Sequence, residues 1–154
     1  MSFKRGSALD IPIYLGIILA GAITYLMLNT LVSNLTAAGG IFADSIWTDF
    51  VSNSFGLLDS LFVFSFIMGF LFIIILAGIT RSTPIMFAAG IVMIIVSVFI
   101  APTIANIYNE FATNPSVAAG HTNLDAFFAV LPTLILVVGG IIVVVNLVGR
   151  GGSE

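Results

Sequence analysis

Charged residues are so scarce in this chain that their number alone restricts the solvent in which it can fold. Four Lys and Arg and seven Asp and Glu residues occur among 154, so 7% of the chain is charged, against about 25% in ordinary soluble domains. Hydrophobic residues make up 60%, and the mean hydropathy is +1.24. So few charged side chains cannot cover a water-soluble fold. The composition predicts a bilayer protein and excludes a soluble enzyme, a disordered tail and a nucleic-acid-binding protein.

Four stretches without charge are long enough to cross a bilayer, which takes about 20 residues at 1.5 Å per residue. They cover approximately residues 11–35, 60–80, 83–101 and 126–149. We therefore expect an all-α integral membrane protein with four transmembrane helices. We also expect the first apolar stretch to remain as a helix, since it is longer than the apolar region of a typical signal peptide.

The positions of the charges predict the orientation of these spans. All the basic residues fall on one side of the predicted membrane, at Lys4, Arg5, Arg81 and Arg150. Five of the seven acids fall on the other side, at Asp44, Asp49, Asp59, Glu110 and Asp125. By the positive-inside rule, both termini are expected in the cytoplasm or its topological equivalent. Three spans with one re-entrant segment is the alternative, but it would scatter the arginines over both faces.

Two acids stand directly before a predicted span. Asp59 precedes the second span and Asp125 the fourth. A carboxylate at a helix N-terminus accepts hydrogen bonds from free backbone N–H groups and interacts favourably with the helix dipole. Each aspartate is therefore expected to cap the helix that follows it.

The two halves of the chain share a pattern. Residues 46–53 and 107–114 both read Ile, aromatic, any residue, acid, Phe, any residue, hydroxyl, Asn, and each segment is followed by Leu-Asp, a span and an arginine. Because these matches lie outside the apolar runs, they predict a duplicated helical hairpin. The expected units are 1–81 and 82–154, parallel repeats related by rotation about the membrane normal. Chance similarity between apolar strings is the alternative.

The same two segments have the periodicity of an amphipathic helix. We expect each to form a short interfacial helix in an outer connection, with aromatic side chains at headgroup depth. The residues predicted as interfacial anchors or partner contacts are Trp47, Asp49, Phe50, Asn53, Tyr108, Glu110, Phe111 and Asn114. Packing over the end of the bundle, without any partner, is the alternative for these segments.

Small residues within the spans predict close contacts between helices, because they let two backbones approach each other. The residues predicted to serve in this way are Gly16, Ala20, Ser65, Gly69, Gly139 and Gly140. We expect contacts within the bundle or between subunits in preference to a pore lining. A water-filled channel would show a more continuous polar stripe.

The spans lack the residues that membrane transport chemistry requires. None contains Asp, Glu, Lys, Arg or His, whereas ion relays and proton-coupled carriers need an ionisable group at membrane depth. The chain has no Cys, and its single His121 lies in an outer connection without ligating neighbours in sequence, so no metal or haem site is indicated. The sequence predicts a protein that is not an enzyme, with no cofactor and no small-molecule substrate.

The function that remains is assembly within the membrane. We expect a structural or assembly subunit of a larger membrane-embedded particle, either an accessory subunit of a membrane complex or a virion membrane protein. Its expected partners are the lipid bilayer and either copies of itself or other membrane subunits. The alternative is a small oligomeric pore or holin-like channel.

Overall fold

The structure, a computed structural model, describes residues 10–39, 44–79, 84–117 and 120–151. Within these ranges the chain forms four helices, namely α1 (Asp10–Ala37), α2 (Ser45–Ile79), α3 (Pro84–Ala112) and α4 (Thr122–Gly151). Each contains a stretch long and apolar enough to cross a membrane. The chain is therefore an all-α, multi-pass membrane protein, which confirms the prediction from the four charge-free stretches.

The helices form a bundle in which α1 and α4 occupy opposite corners. α1 packs against α2 and α3, and α4 packs against the same two helices. The first hairpin is antiparallel, because the Tyr14 hydroxyl donates to the Phe66 carbonyl at 2.9 Å and the Tyr25 hydroxyl donates to the Phe55 carbonyl, also at 2.9 Å. The α1–α2 register is thus held by two tyrosine hydroxyls.

The α2–α4 contact runs in the parallel sense. Phe66 and Phe127 have ring centroids 5.6 Å apart, and Gly78 lies beside Val145 further along both helices. α3 and α4 are antiparallel, since Tyr108 near the end of α3 stacks on Phe128, whereas Ile94 earlier in α3 lies against Gly139 further along α4. These directions give an up-down-up-down arrangement.

Large apolar side chains fill the bundle interior. Leu15 and Ile18 of α1, together with Leu131 and Ile135 of α4, are completely buried. The outward faces are also apolar, as shown by Ile85, which is 82% exposed. In water such a surface would carry polar groups, whereas hydrocarbon solvates it.

The outer segments do not form separate interfacial helices, so that prediction is wrong. Residues 46–53 lie at the N-terminal end of α2, which continues without a break into the second span. Residues 107–112 are the last residues of α3, and 113–114 form the turn after it. Gly56 is the weakest helix former between 46–53 and the span, and a single glycine costs about 1 kcal/mol, too little to break a helix that is packed elsewhere.

Helix α3 likewise extends beyond the predicted end of its span at residue 101. It passes through Pro102 and ends at Ala112. A proline removes one backbone hydrogen bond, and neighbouring helices in a membrane bundle can satisfy the carbonyl group that this leaves free. Pro132 is similarly contained within α4.

The two copies of the shared pattern therefore stand in different surroundings. The first begins α2, whereas the second ends α3. The proposed duplication, with its units 1–81 and 82–154, stays a prediction.

Gly69 of α2 lies directly against the side chain of Tyr14 of α1. A Cβ atom at this position would overlap the hydroxyl and ring of Tyr14. The Tyr14 ring also meets Phe70 edge to face, with centroids 5.0 Å apart. The absence of a side chain at Gly69 thus makes room for the tyrosine that joins the two helices.

We predict that Gly69→Ala will destabilise the protein by about 1–3 kcal/mol, the usual cost of overpacking. The added methyl group would displace Tyr14 from its hydrogen bond with Phe66 and from its contact with Phe70. Reversible unfolding in mixed micelles measures the change. Gly56→Ala is the matched control on the same helix, because nothing lies within 4 Å of the added atom, and it should leave stability unchanged or slightly higher. Equal stability of the two variants would contradict the assigned contact.

Candidate functional site at the acidic end of the bundle

The acidic end of the bundle is the end at which α1 and α3 finish and α2 and α4 begin. It contains all five acids of the two outer connections, namely Asp44, Asp49, Asp59, Glu110 and Asp125. Polar side chains that bridge different helices are concentrated here. This end is therefore the part of the molecule best equipped for specific recognition.

Asp59 of α2 caps the N-terminus of α4. Its carboxylate accepts the backbone N–H of Asn123 at 2.8 Å and that of Leu124 at 3.1 Å. α4 begins at Thr122, so these are the second and third N–H groups of the helix, the ones that an N-cap side chain normally satisfies. Asp59 is only 2% exposed. The hydrogen bonds and the positive end of the helix dipole compensate its buried charge.

This arrangement corrects the prediction for Asp59, which was expected to cap its own helix. α2 begins at Ser45, one residue after Asp44. There the Asp44 carboxylate accepts the backbone N–H of Ile46 at 3.2 Å. Asp44 therefore caps α2, and Asp59 is free to act on a different helix.

Asp125 lies inside the first turn of α4, not before the helix as its predicted cap, and its carboxylate binds side chains. One oxygen accepts the Tyr108 hydroxyl at 2.8 Å and lies 2.9 Å from Nδ1 of His121. The Tyr108 ring stacks on Phe128, with centroids 3.9 Å apart and planes inclined by 5°. Asp125 therefore connects the end of α3 to the start of α4.

His121 is buried at the start of α4. Gly120 precedes it with φ +111°, a left-handed conformation that glycine adopts without steric cost. This turn brings the imidazole back to Asp125, one helical turn along the chain. Nearby, the Asn123 amide donates to Ser60 Oγ at 3.1 Å, which adds a second link between α2 and α4.

The residues predicted as partner contacts divide into exposed and buried groups. Asp49, Phe50, Asn53, Glu110, Phe111 and Asn114 are exposed at the acidic end. Trp47 is half-buried, with its ring 6.1 Å from that of Phe50. Tyr108 lies in the α3–α4 contact and is 2% exposed, so it does not stand at the surface, where the prediction placed it.

The residues predicted for helix packing also divide. Gly69 lies against Tyr14, and Gly139 lies against Ile94 of α3. Gly16, Ala20 and Gly140 are exposed on the outside of the bundle. Ser65 is exposed too, although its carbonyl oxygen accepts the Tyr14 hydroxyl at 3.3 Å.

Several clefts open near the acidic end, and two of them lie between the helices of a hairpin. The α1–α2 cleft, of about 610 Å³, lies between the last turns of α1 and the first turns of α2. A smaller cleft of about 320 Å³ lies between α3 and α4, where Pro102, Tyr108 and Asp125 contribute to its wall. In the described ranges, no group of three His, Cys, Asp or Glu residues is placed to hold a metal ion.

Comparison of the chain with protein-family models, curated proteins and solved structures gives no match.

We predict that Asp59→Ala will destabilise the protein by about 1–3 kcal/mol, because it removes two charge-assisted hydrogen bonds from a helix N-terminus. The amide hydrogens of Asn123 and Leu124 should then exchange faster with solvent, as measured by hydrogen–deuterium exchange in micelles. Asp59→Asn keeps one acceptor oxygen and should have an intermediate effect. Asp49→Ala, at an exposed position on the same helix, is the control. Unchanged exchange at both amides in Asp59→Ala would refute the cap.

Proposed function

We propose that this protein is a structural or assembly subunit of a larger membrane-embedded particle and catalyses no reaction. It would act either as an accessory subunit of a membrane complex or as an integral protein of a virion membrane. Its main contacts would be lateral ones within the bilayer, with copies of itself or with other membrane subunits. Both termini would lie on the cytoplasmic or equivalent side.

The observation that carries this proposal is a small-residue face of α1 directed away from the bundle. Gly16, Ala20 and Thr24 follow one another at intervals of four residues, and all three are exposed. Nothing lies within 4 Å of a Cβ atom built on Gly16. Faces of this kind allow a helix from another chain to approach closely in a bilayer, where van der Waals packing drives association.

A second outward face on α4 supports assembly into more than a pair. Gly140 is exposed with no atom near its Cβ position, and it shares a helix face with exposed Thr133 and Val144. Because α1 and α4 occupy opposite corners of the bundle, one chain could contact two neighbours on opposite sides. Contacts between two unlike faces generate rings or extended arrays.

The proposed orientation depends on charge. Lys4, Arg5 and Arg81 lie outside the described residues, and their placement follows from the positive-inside rule. The acidic end would then face the exterior of the cell or particle. There the exposed Asp49 and Glu110 would be available to soluble or membrane-bound partners.

A pore is the second candidate. The interior of the single bundle is occupied by side chains such as Leu15, Leu131 and Ile135, so a conducting path would have to form between copies of the chain. The exposed faces of the helices carry mainly Ile, Leu, Val and Phe, which do not line an aqueous path favourably. These features favour the structural function.

We expect the protein extracted in mild detergent to have the native mass of a defined oligomer or of a stoichiometric complex with another membrane protein. Replacing both Gly16 and Ala20 by Ile should shift the oligomer toward monomer, because the larger side chains hold the facing helix away. Ala88→Ile, at an exposed position on α3, is the control. A monomer without any co-purifying protein would count against assembly.

We also expect no dye release when the protein is reconstituted into liposomes over a wide range of protein-to-lipid ratios. A packed bundle that associates laterally leaves the bilayer barrier intact. Empty liposomes and liposomes with a known pore-forming peptide set the two limits of the assay. Leakage at low protein density would favour the pore over the structural function.

A further inference from the structure

We propose that the α1–α2 cleft binds an uncharged, hydroxyl-rich group, such as the sugar headgroup of a glycolipid in the leaflet at the acidic end. The cleft volume, about 610 Å³, lies within the range of about 300–1,000 Å³ typical of small-ligand sites. Its position, its hydrogen-bonding groups and its charge each restrict the ligand further.

On α2 the cleft lies outside the predicted edge of the hydrocarbon, whereas on α1 its lining residues Asn29 and Ser33 belong to the charge-free stretch 11–35. Ser60–Ile79 provides about 30 Å of helix, which matches the hydrocarbon thickness and places Asp59 at its boundary. Of the α2 residues that line the cleft, Gly56 then lies about 4 Å and Thr48 about 16 Å outside that boundary at 1.5 Å per residue. A lipid headgroup can enter at the inner end and extend toward water.

The polar lining of the cleft consists of hydroxyl and amide side chains. The polar side chains are Asn29, Ser33 and Thr36 from α1 and Thr48 and Ser52 from α2. None of the ten lining residues, all within the described part of the chain, carries a formal charge. No lining residue supplies a counter-ion for a charged group buried among them. The lining therefore favours a neutral ligand.

The hydroxyl groups offer acceptors to a ligand. Thr36 Oγ1 donates to the Val32 carbonyl at 3.0 Å, and Thr48 Oγ1 donates to the Asp44 carbonyl at 3.1 Å. Ser52 Oγ likewise donates to its own helix. Since a hydroxyl has one hydrogen and two lone pairs, the lone pairs remain able to accept hydrogen bonds. The matching ligand is one that supplies several O–H donors.

Two further features fit a sugar and oppose a phosphate. Val51 and Phe55 give the cleft an apolar patch, against which the C–H face of a sugar ring can pack. Asp44 and Asp49 are exposed beside it on α2 and repel anions. Anionic phospholipid headgroups and free phosphate are therefore disfavoured.

Native mass spectrometry tests the proposal with the full chain in micelles doped with one lipid at a time. The probes are digalactosyl diacylglycerol, phosphatidylethanolamine and phosphatidylglycerol with matched acyl chains. We expect the glycolipid to be retained about tenfold better than either phospholipid, the ratio given by one or two net hydrogen bonds. Equal retention of the three lipids, or preference for a phospholipid, would overturn the proposal.

Variants locate the binding within the cleft. Ser33→Leu and Ser52→Leu fill it with apolar bulk at exposed positions, so each should reduce glycolipid retention about tenfold without unfolding the protein. Asn53→Leu is the matched control, because this exposed neighbour of Ser52 does not line the cleft. If Ser52→Leu and Asn53→Leu retained the same amount of glycolipid, the assigned site would be wrong.

A sugar ligand could be a soluble saccharide or the headgroup of a glycolipid. A free galactose disaccharide at millimolar concentration distinguishes these two ligands. Trp47 is the single tryptophan of the chain and immediately precedes Thr48 of the cleft, so its fluorescence reports occupancy. A change with the disaccharide that Ser52→Leu abolishes would support the site and assign a soluble saccharide as its ligand. A response to glycolipid vesicles alone, again abolished by Ser52→Leu, would assign the lipid. A response to either probe that persists in Ser52→Leu would overturn the site.

Discussion

The buried carboxylate of Asp59 at the N-terminus of α4 is the interaction on which the arrangement of the helices most depends. A carboxylate at the edge of hydrocarbon is costly unless it is hydrogen-bonded, and the first N–H groups of a helix are also costly when they are buried and unpaired. In this protein each compensates the other, through Asn123 and Leu124. The contact fixes the position of α4 along α2, and the Tyr108–Asp125 hydrogen bond extends that constraint to α3.

The spans could be predicted because charge is excluded from hydrocarbon, but the orientation of each helix face could not. In water an apolar side chain indicates the core, whereas in a bilayer both the core and the lipid-facing surface are apolar. Gly16 and Gly69 therefore look alike in sequence. The structure places Gly69 against Tyr14 and Gly16 on the outside, a difference that depends on which helices become neighbours.

The positions of the helix ends and the hydrogen-bond partners of the aspartates were harder to predict for a related reason. A charge-free stretch marks the part of a helix in hydrocarbon, while the helix itself ends only where its hydrogen bonding is terminated, as by the Asp44 cap before Ser45. Asp59 and Asp125 both follow a leucine and precede a span. One caps a distant helix and the other binds Tyr108 and His121, and the choice between these partners depends on how the helices pack.

The α1–α2 cleft opens at the same end of the bundle. Asp59 and Ser60 join α2 to α4 at the acidic end, whereas α1 and α2 share the smallest contact among the neighbouring helix pairs. The outermost tyrosine link between them is the Tyr25 hydroxyl on the Phe55 carbonyl. Beyond Tyr25 the lining is made of Asn29, Ser33 and Thr36, side chains too small to fill the space between two helix ends. The end of α2 that is joined to α4 is thus also the end at which α1 and α2 leave a cleft, and polar residues line it.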